Sequence, residues 1–238
     1  MILYQVKTEL RAYASAEKSE ILQRFFKTGK GEYGEGDKFL GVKVPEIRKV
    51  AGKFIDLDFP NIEFLLTSPI HEERFLALAI LTKRFTKGDL DEKEKVYRFY
   101  INHTDYINNW DLVDVSAPQV VGGYLFSLGS RFWSVLYEMA REDHLWRKRI
   151  AIMATFTFIR NNTFGPTLEI SEILLNDKHD LIHKAVGWML REVANRERPL
   201  VEKFLQKHCK TMPRTMLRYA IEKFPEELRQ AYLKKICS

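Results

Sequence analysis

Four stretches of this 238-residue chain share one pattern, an apolar helical run broken by basic residues. HEERFLALAIL, LWRKRIAIMAT, LIHKAVGWMLRE and MPRTMLRYAIEKF begin at positions 71, 145, 181 and 212. The gaps between them are 74, 36 and 31 residues, and the segment WDLVD at 110 divides the first into 39 and 35. A recurrence of 31–39 residues with two helices in each unit restricts the chain to a helical solenoid, because each hairpin can cover its apolar face only by stacking on the next. The Trp-Leu-Gly-Tyr pattern of tetratricopeptide units is absent, so HEAT-like pairs fit best. The expected fold is all-α, an α-α superhelix of about six to seven helix pairs forming a single domain over residues 1–238.

The remaining segments agree with that fold. Residues 2–14 and 17–27 carry apolar stripes at helical spacing, and Thr28 to Gly41 is a glycine-rich loop. Pro45 suits the first turn of a helix, and Asp89 or Asp91 suits a cap for the segment toward Tyr106. Pro118 interrupts the helix that runs from Trp110 to about Leu128, where Gly122-Gly123 allows close packing. Pro199, Pro213 and Pro225 punctuate three final helices. No segment pairs period-two alternation with hairpin turns, so no strand is expected.

Composition narrows the function classes only slightly. Lys+Arg exceed Asp+Glu by 38 to 32, a mild lean toward polyanions. The two cysteines, Cys209 and Cys237, have no metal spacing and are expected as free thiols of a reducing, cytoplasmic compartment. The N-terminal MILYQVKTELRAYA becomes charged too soon for a signal peptide, and no apolar run approaches the ~18 residues of a membrane span.

In a solenoid of this kind the second helices of successive pairs line one surface. Asp114, Arg149 and Lys184 follow one another at 35-residue intervals and so hold equivalent places on three of those helices. Trp110 lies one turn before Asp114 and Trp188 one turn after Lys184, on the same faces. Arg147, Lys148, Arg191, Arg214 and Arg218 surround the row. The expected product is a basic surface with one carboxylate and two indoles at its middle, and a carboxylate costs too much in an apolar seam to be filler. Asp111, one residue from Trp110, points elsewhere and reads as a charge near the helix N-terminus. Trp133 and Trp146 fall outside the row and read as packing residues.

Other signals carry less. Gly29 to Gly34 satisfies GxGxxG, but a helix and no strand precedes it, so a flexible loop is the better reading. His71-Glu72-Glu73 lacks a second histidine at position 75, and the six histidines show no ligand spacing, so no metal site is expected from them. Lys184 as a Schiff-base lysine is weaker than a solvated lysine. Two alternatives stay open on the residues alone. One is a non-catalytic α-solenoid binding DNA or an acidic partner; the other is a structural polar seam in which Asp114 pairs with Arg149.

WDLVD, the WRKR segment before IAIMATFTFI, and KAVGWMLRE together resemble the AlkD-type DNA alkylation repair glycosylases, as does GDKFLGVKVPEIRKV at 36–50. The similarity spans about residues 20 to 235. It implies a monomeric HEAT-like superhelix that holds duplex DNA containing alkylated bases. The implied activity is hydrolysis of the N-glycosidic bond of N3- and N7-alkylated purines, without a metal, a cofactor or a base-flipping pocket. Carried over by position, the aromatic pair falls on Trp110 and Trp188, the catalytic carboxylate on Asp114, and the phosphate-binding arginines on Arg149 and Arg191. Lys184, Lys148 and Arg147 are expected beside those arginines on the DNA. The family's further aromatic, usually tyrosine, falls here on Phe25 or Phe26.

Overall fold

The computed structural model describes residues 1–236, and these form an all-α helical repeat with no strand. Their contacts divide into two compact units, Met1–Ser116 and Ala117–Ser238. The second helices begin at 71, 110, 145, 180 and 214, so the repeat intervals are 39, 35, 35 and 34 residues. That recurrence is more even than the apolar motifs alone suggest.

The first unit contains α1 (Ile2–Arg11), α2 (Ala16–Phe25), α3 (Val44–Lys53), α4 (Phe59–Leu66), α5 (His71–Lys87), α6 (Leu90–Asn102) and the start of α7 (Trp110–Ala117). Helix starts follow local chemistry. The Asp58 carboxylate accepts from the Asn61 amide at 3.0 Å, and Asp89 accepts from Glu92 at 2.9 Å, each satisfying a donor the first turn leaves open. Helix α5 packs on α3, α4 and α6, and Phe75 to Leu81 is buried without interruption. A helix apolar all round belongs at the centre of its unit.

The loop from Thr28 to Val42 is anchored at its far end, beyond the Gly29–Gly34 stretch. Lys38 makes an isolated parallel bridge with Ile70, and buried Glu72 accepts the backbone N–H groups of Leu40, Gly41 and Val42 at 2.9, 2.8 and 3.2 Å. Gly41 sits at φ +80°, and a Cβ there would lie 2.1 Å from the Ser15 carbonyl oxygen. Only glycine fits that position.

In the second unit a π turn (Pro118–Gly122) leads into α8 (Gly123–Leu128), α9 (Ser134–Arg141), α10 (Leu145–Arg160), α11 (Gly165–Ile173), α12 (Asp180–His208), α13 (Arg214–Ala220) and α14 (Glu226–Leu233). At Pro118 the helix passes into a π turn, whose backbone bonds span five residues in place of four. Helix α10 is the central helix here, packed on the π turn, α9, α11 and α12. A Cβ on Gly122 would stand 2.1 Å from the Ala154 carbonyl oxygen, so the expected close packing is made at that residue. Gly187 likewise lets α12 lie close to α13, where a Cβ would stand 2.5 Å from the Met216 carbonyl oxygen. Helix α12 breaks at Glu197 (φ −141°, ψ 72°), just ahead of Pro199, whose ring cannot continue the preceding turn. Trp133 packs edge-on against Phe158, and Trp146 is buried, as expected of packing residues. Cys209 is disulfide-bonded, which corrects the expectation of two free thiols; Cys237 lies outside the described residues.

Candidate functional site

Helix α7 opens on Asn109, which is buried and whose Oδ1 accepts the Trp110 N–H at 2.8 Å. Trp110 and Asp114 follow on it, both half-buried and one turn apart. The Trp110 indole stacks on Phe26 at 5.3 Å between centroids and 18° between planes, while Phe25 meets it edge-on at 6.0 Å. The aromatic expected at Phe25 or Phe26 is thus a pair, with Phe26 buried beneath the indole and Phe25 exposed beside it. Asp114 lies close to Tyr100, the fully buried phenol that bonds the Ser116 hydroxyl at 3.0 Å. Burial first, and then the charge of Asp114, push the Tyr100 phenol up from its ordinary value, so it stays protonated.

Beneath the indole lies a charged cluster that the sequence reading missed. His71 is 3% exposed, with Nε2 2.8 Å from Asp111 Oδ2 and Nδ1 3.2 Å from Asp37 Oδ2. Asp37 also forms an ion pair with Arg74 at 2.7 Å and accepts from Asn109 Nδ2 at 3.3 Å. Asp111 is therefore a buried-side ligand of the imidazole, not only a charge near the helix N-terminus. Burial disfavours the Asp37 carboxylate, but the His71 bond and the Arg74 charge overcome this and hold its pKa below the ordinary value. Phe26 and Phe39 pack on the faces of the imidazole at 4.9 and 4.7 Å. The signal was present in HEER, because four polar residues opening an otherwise apolar helix must each find a partner. The partners came from positions 7, 11, 37, 40–42, 68 and 111, which spacing alone does not connect. An apolar cavity of about 330 Å³ adjoins this cluster, walled by Phe25, Phe26, Phe39 and Phe75, with His71 and Asp111 at one side.

The second unit carries the other expected residues. Trp188 is half-buried, donates Nε1–H to Glu192 at 3.1 Å and lies 6.3 Å from the Phe156 ring. Four of the expected DNA-binding cations are held by acids: Lys184 by Asp180 at 2.6 Å, Lys148 by Asp177 at 2.8 Å, Arg147 by Glu142 at 2.9 Å, and Arg191 by Glu222. Arg149 is 4% exposed and donates Nη1–H to the Leu181 carbonyl at 2.6 Å, so its guanidinium ties the start of α10 to that of α12. A cavity of about 510 Å³ in this unit is lined by Lys184, Arg218 and Arg229 with Asp180, Glu222 and Thr215. Among the described residues no group of three or more His, Cys, Asp or Glu could hold a metal ion, and no helix is long and apolar enough to cross a membrane.

A family model described as DNA alkylation repair enzyme matches residues 6–224. The chain belongs to the DNA alkylation repair enzyme family. Its fold is shared with a solved structure of a predicted DNA alkylation repair enzyme from Enterococcus faecalis, with a TM-score of 0.68 over 90% of this chain and 97% of that one. The two are 14% identical, so that likeness speaks for the fold. No curated protein matches the chain by sequence. Within this DNA alkylation repair family member, WDLVD forms the start of α7, WRKR the first turn of α10, and KAVGWMLRE the N-terminal half of α12.

Proposed function

We propose that this chain is a monomeric DNA glycosylase that hydrolyses the N-glycosidic bond of N3- and N7-alkylated purines in duplex DNA. Family membership over residues 6–224 carries the repair assignment, and the carboxylate and indole paired on α7 carry the chemistry. Alkylation at N3 or N7 makes the purine a cationic leaving group, so the C1′–N bond breaks with the electron pair going to the base, and little general-acid help is needed. Positive charge then grows on the sugar. Asp114 opposes that charge and orients the water whose oxygen bonds to C1′, and the proton of that water passes to solvent. The face of Trp110 attracts the same cation by ~0.5–2 kcal/mol; Trp188, in the second unit, is the other indole that this reading assigns to catalysis.

Arg191, Lys184, Lys148 and Arg147 bind phosphates in this reading, exchanging their acidic partners for the DNA. The exposed pair Lys184–Asp180 contributes only about 0–1 kcal/mol, so that exchange costs little. Arg149, being buried, supports α12 beside them. No metal or cofactor takes part in the proposal. A cytoplasmic location goes with a chromosomal substrate and no longer rests on free thiols.

The test is chromatography of bases released from methylated duplex DNA. Asp114→Asn should abolish release of 7-methylguanine and leave duplex binding in place; undiminished excision by that variant removes Asp114 from the reaction. The second reading, a non-catalytic binder of DNA or another polyanion, draws on the charged cavity of the second unit. It predicts binding by the wild-type protein with no released base at any enzyme concentration.

A further inference from the structure

The first turn of α7 is fastened by a chain of charged groups that the proposed reaction does not itself use. A neutral imidazole has one N–H, so with a carboxylate oxygen at each ring nitrogen one lone pair would have to face another. Only the imidazolium donates at both ends. The charged groups facing it are Asp37 from the loop, Asp111 from α7 and Arg74 from its own helix. Burial works against the charged form, yet the attraction and bond of Asp111, joined by the bond of Asp37, outweigh it and raise the His71 pKa.

Two routes lead from that imidazolium to the indole. One runs through Asp111, the residue after Trp110; the other runs through Asp37 to Asn109, whose side chain caps the Trp110 N–H. Phe26 adds a third contact, since one ring lies on both the imidazole and the indole.

We propose that His71, as an imidazolium clamped between Asp37 and Asp111, is a positioning residue that fixes the first turn of α7 and with it Trp110 and Asp114. This rests on the glycosylase reading of Asp114 for its effect on rate, but not for its effect on geometry. When His71 gives up its proton, one of the two carboxylate bonds is lost and the turn loosens. Misplacement on the order of 1 Å at a reacting group costs about a hundredfold in rate.

The experiment follows three signals on the full chain from about pH 6 to 9, spanning the ordinary histidine range and above it. They are the ring-nitrogen NMR signals of His71, the indole N–H signal of Trp110, and the single-turnover release of 7-methylguanine. Both ring nitrogens should be protonated at neutral pH, and the Trp110 signal and the rate should change at the midpoint of the His71 titration. Asp111→Asn removes a negative charge from the clamp, so the common midpoint should move to lower pH and the plateau rate fall by about ten- to a hundredfold. His71→Gln should abolish the alkaline limb; should that variant fail to fold, the half-buried Asp111→Asn and the wild-type spectra decide the matter. A singly protonated His71 at neutral pH, or an alkaline limb unmoved in Asp111→Asn, overturns the proposal. A Trp110 signal that tracks His71 in a protein releasing no base supports the positioning and sinks the glycosylase reading alone.

Discussion

Arg149 and Arg191 are both arginines of the expected phosphate-binding set, yet their surroundings assign them different work. Arg191 is partly exposed and bonds Glu222, whereas Arg149 is buried and donates to the Leu181 carbonyl among its contacts. Arg191→Ala should lower the salt slope of duplex binding by about 1 with little change in stability. Arg149→Ala leaves the partly buried Leu181 carbonyl without that donor and should cost about 1–3 kcal/mol in urea unfolding. Equal loss of stability in both variants would contradict this division. At the same scale, stability should depend on pH through the cluster under Trp110. Asp37 has a lowered folded pKa, so its contribution is present above the ordinary carboxylate value of 3.8 and is lost as pH falls through the lowered value. His71 has a raised folded pKa, so its contribution is complete below 6.5 and is lost as pH rises through the raised value. Urea midpoints of His71→Gln should accordingly converge with those of the wild-type protein toward alkaline pH, apart from lost packing.

Close helix approach is decided at single glycines. Gly122→Ala would drive a Cβ into the backbone of α10 at Ala154, and Gly187→Ala into α13 at Met216 and Tyr219. Backbone cannot yield as a side-chain tip can, so each should lose about 1–3 kcal/mol of stability by thermal or urea unfolding. Gly52→Ala, whose nearest neighbour is the far end of Lys83, serves as the control. Elements are also where the sequence was most readable. The apolar-plus-basic segments marked α5, α10, α12 and α13 because a 3.6-residue period survives in any apolar face. Proline marked the break in α12 through its missing N–H. The π turn was not legible, since Pro118 alone is compatible with a kink, a stop or a widened turn. The candidate site was legible to the same degree. Trp110 and Asp114 share a face by arithmetic, but the partners of His71 come from a loop 34 residues before it and a helix 40 residues after it.

For the whole molecule, a net charge of +6 favours duplex DNA as a partner, but many of the basic groups are already neutralised by neighbouring acids. Binding to undamaged duplex should therefore be salt-sensitive without being extreme. With about four phosphate contacts, affinity should fall about a hundredfold between 50 and 200 mM salt. A flat response would mean that phosphates are not the principal contact. The Glu72 carboxylate has an effect that reaches beyond its own surroundings. By accepting the amides of Leu40, Gly41 and Val42, it makes a stretch outside any helix answer to the opening of α5, the most enclosed helix of its unit. In deuterated water those three amide protons should persist on the timescale of that helix, long after the neighbouring coil has exchanged.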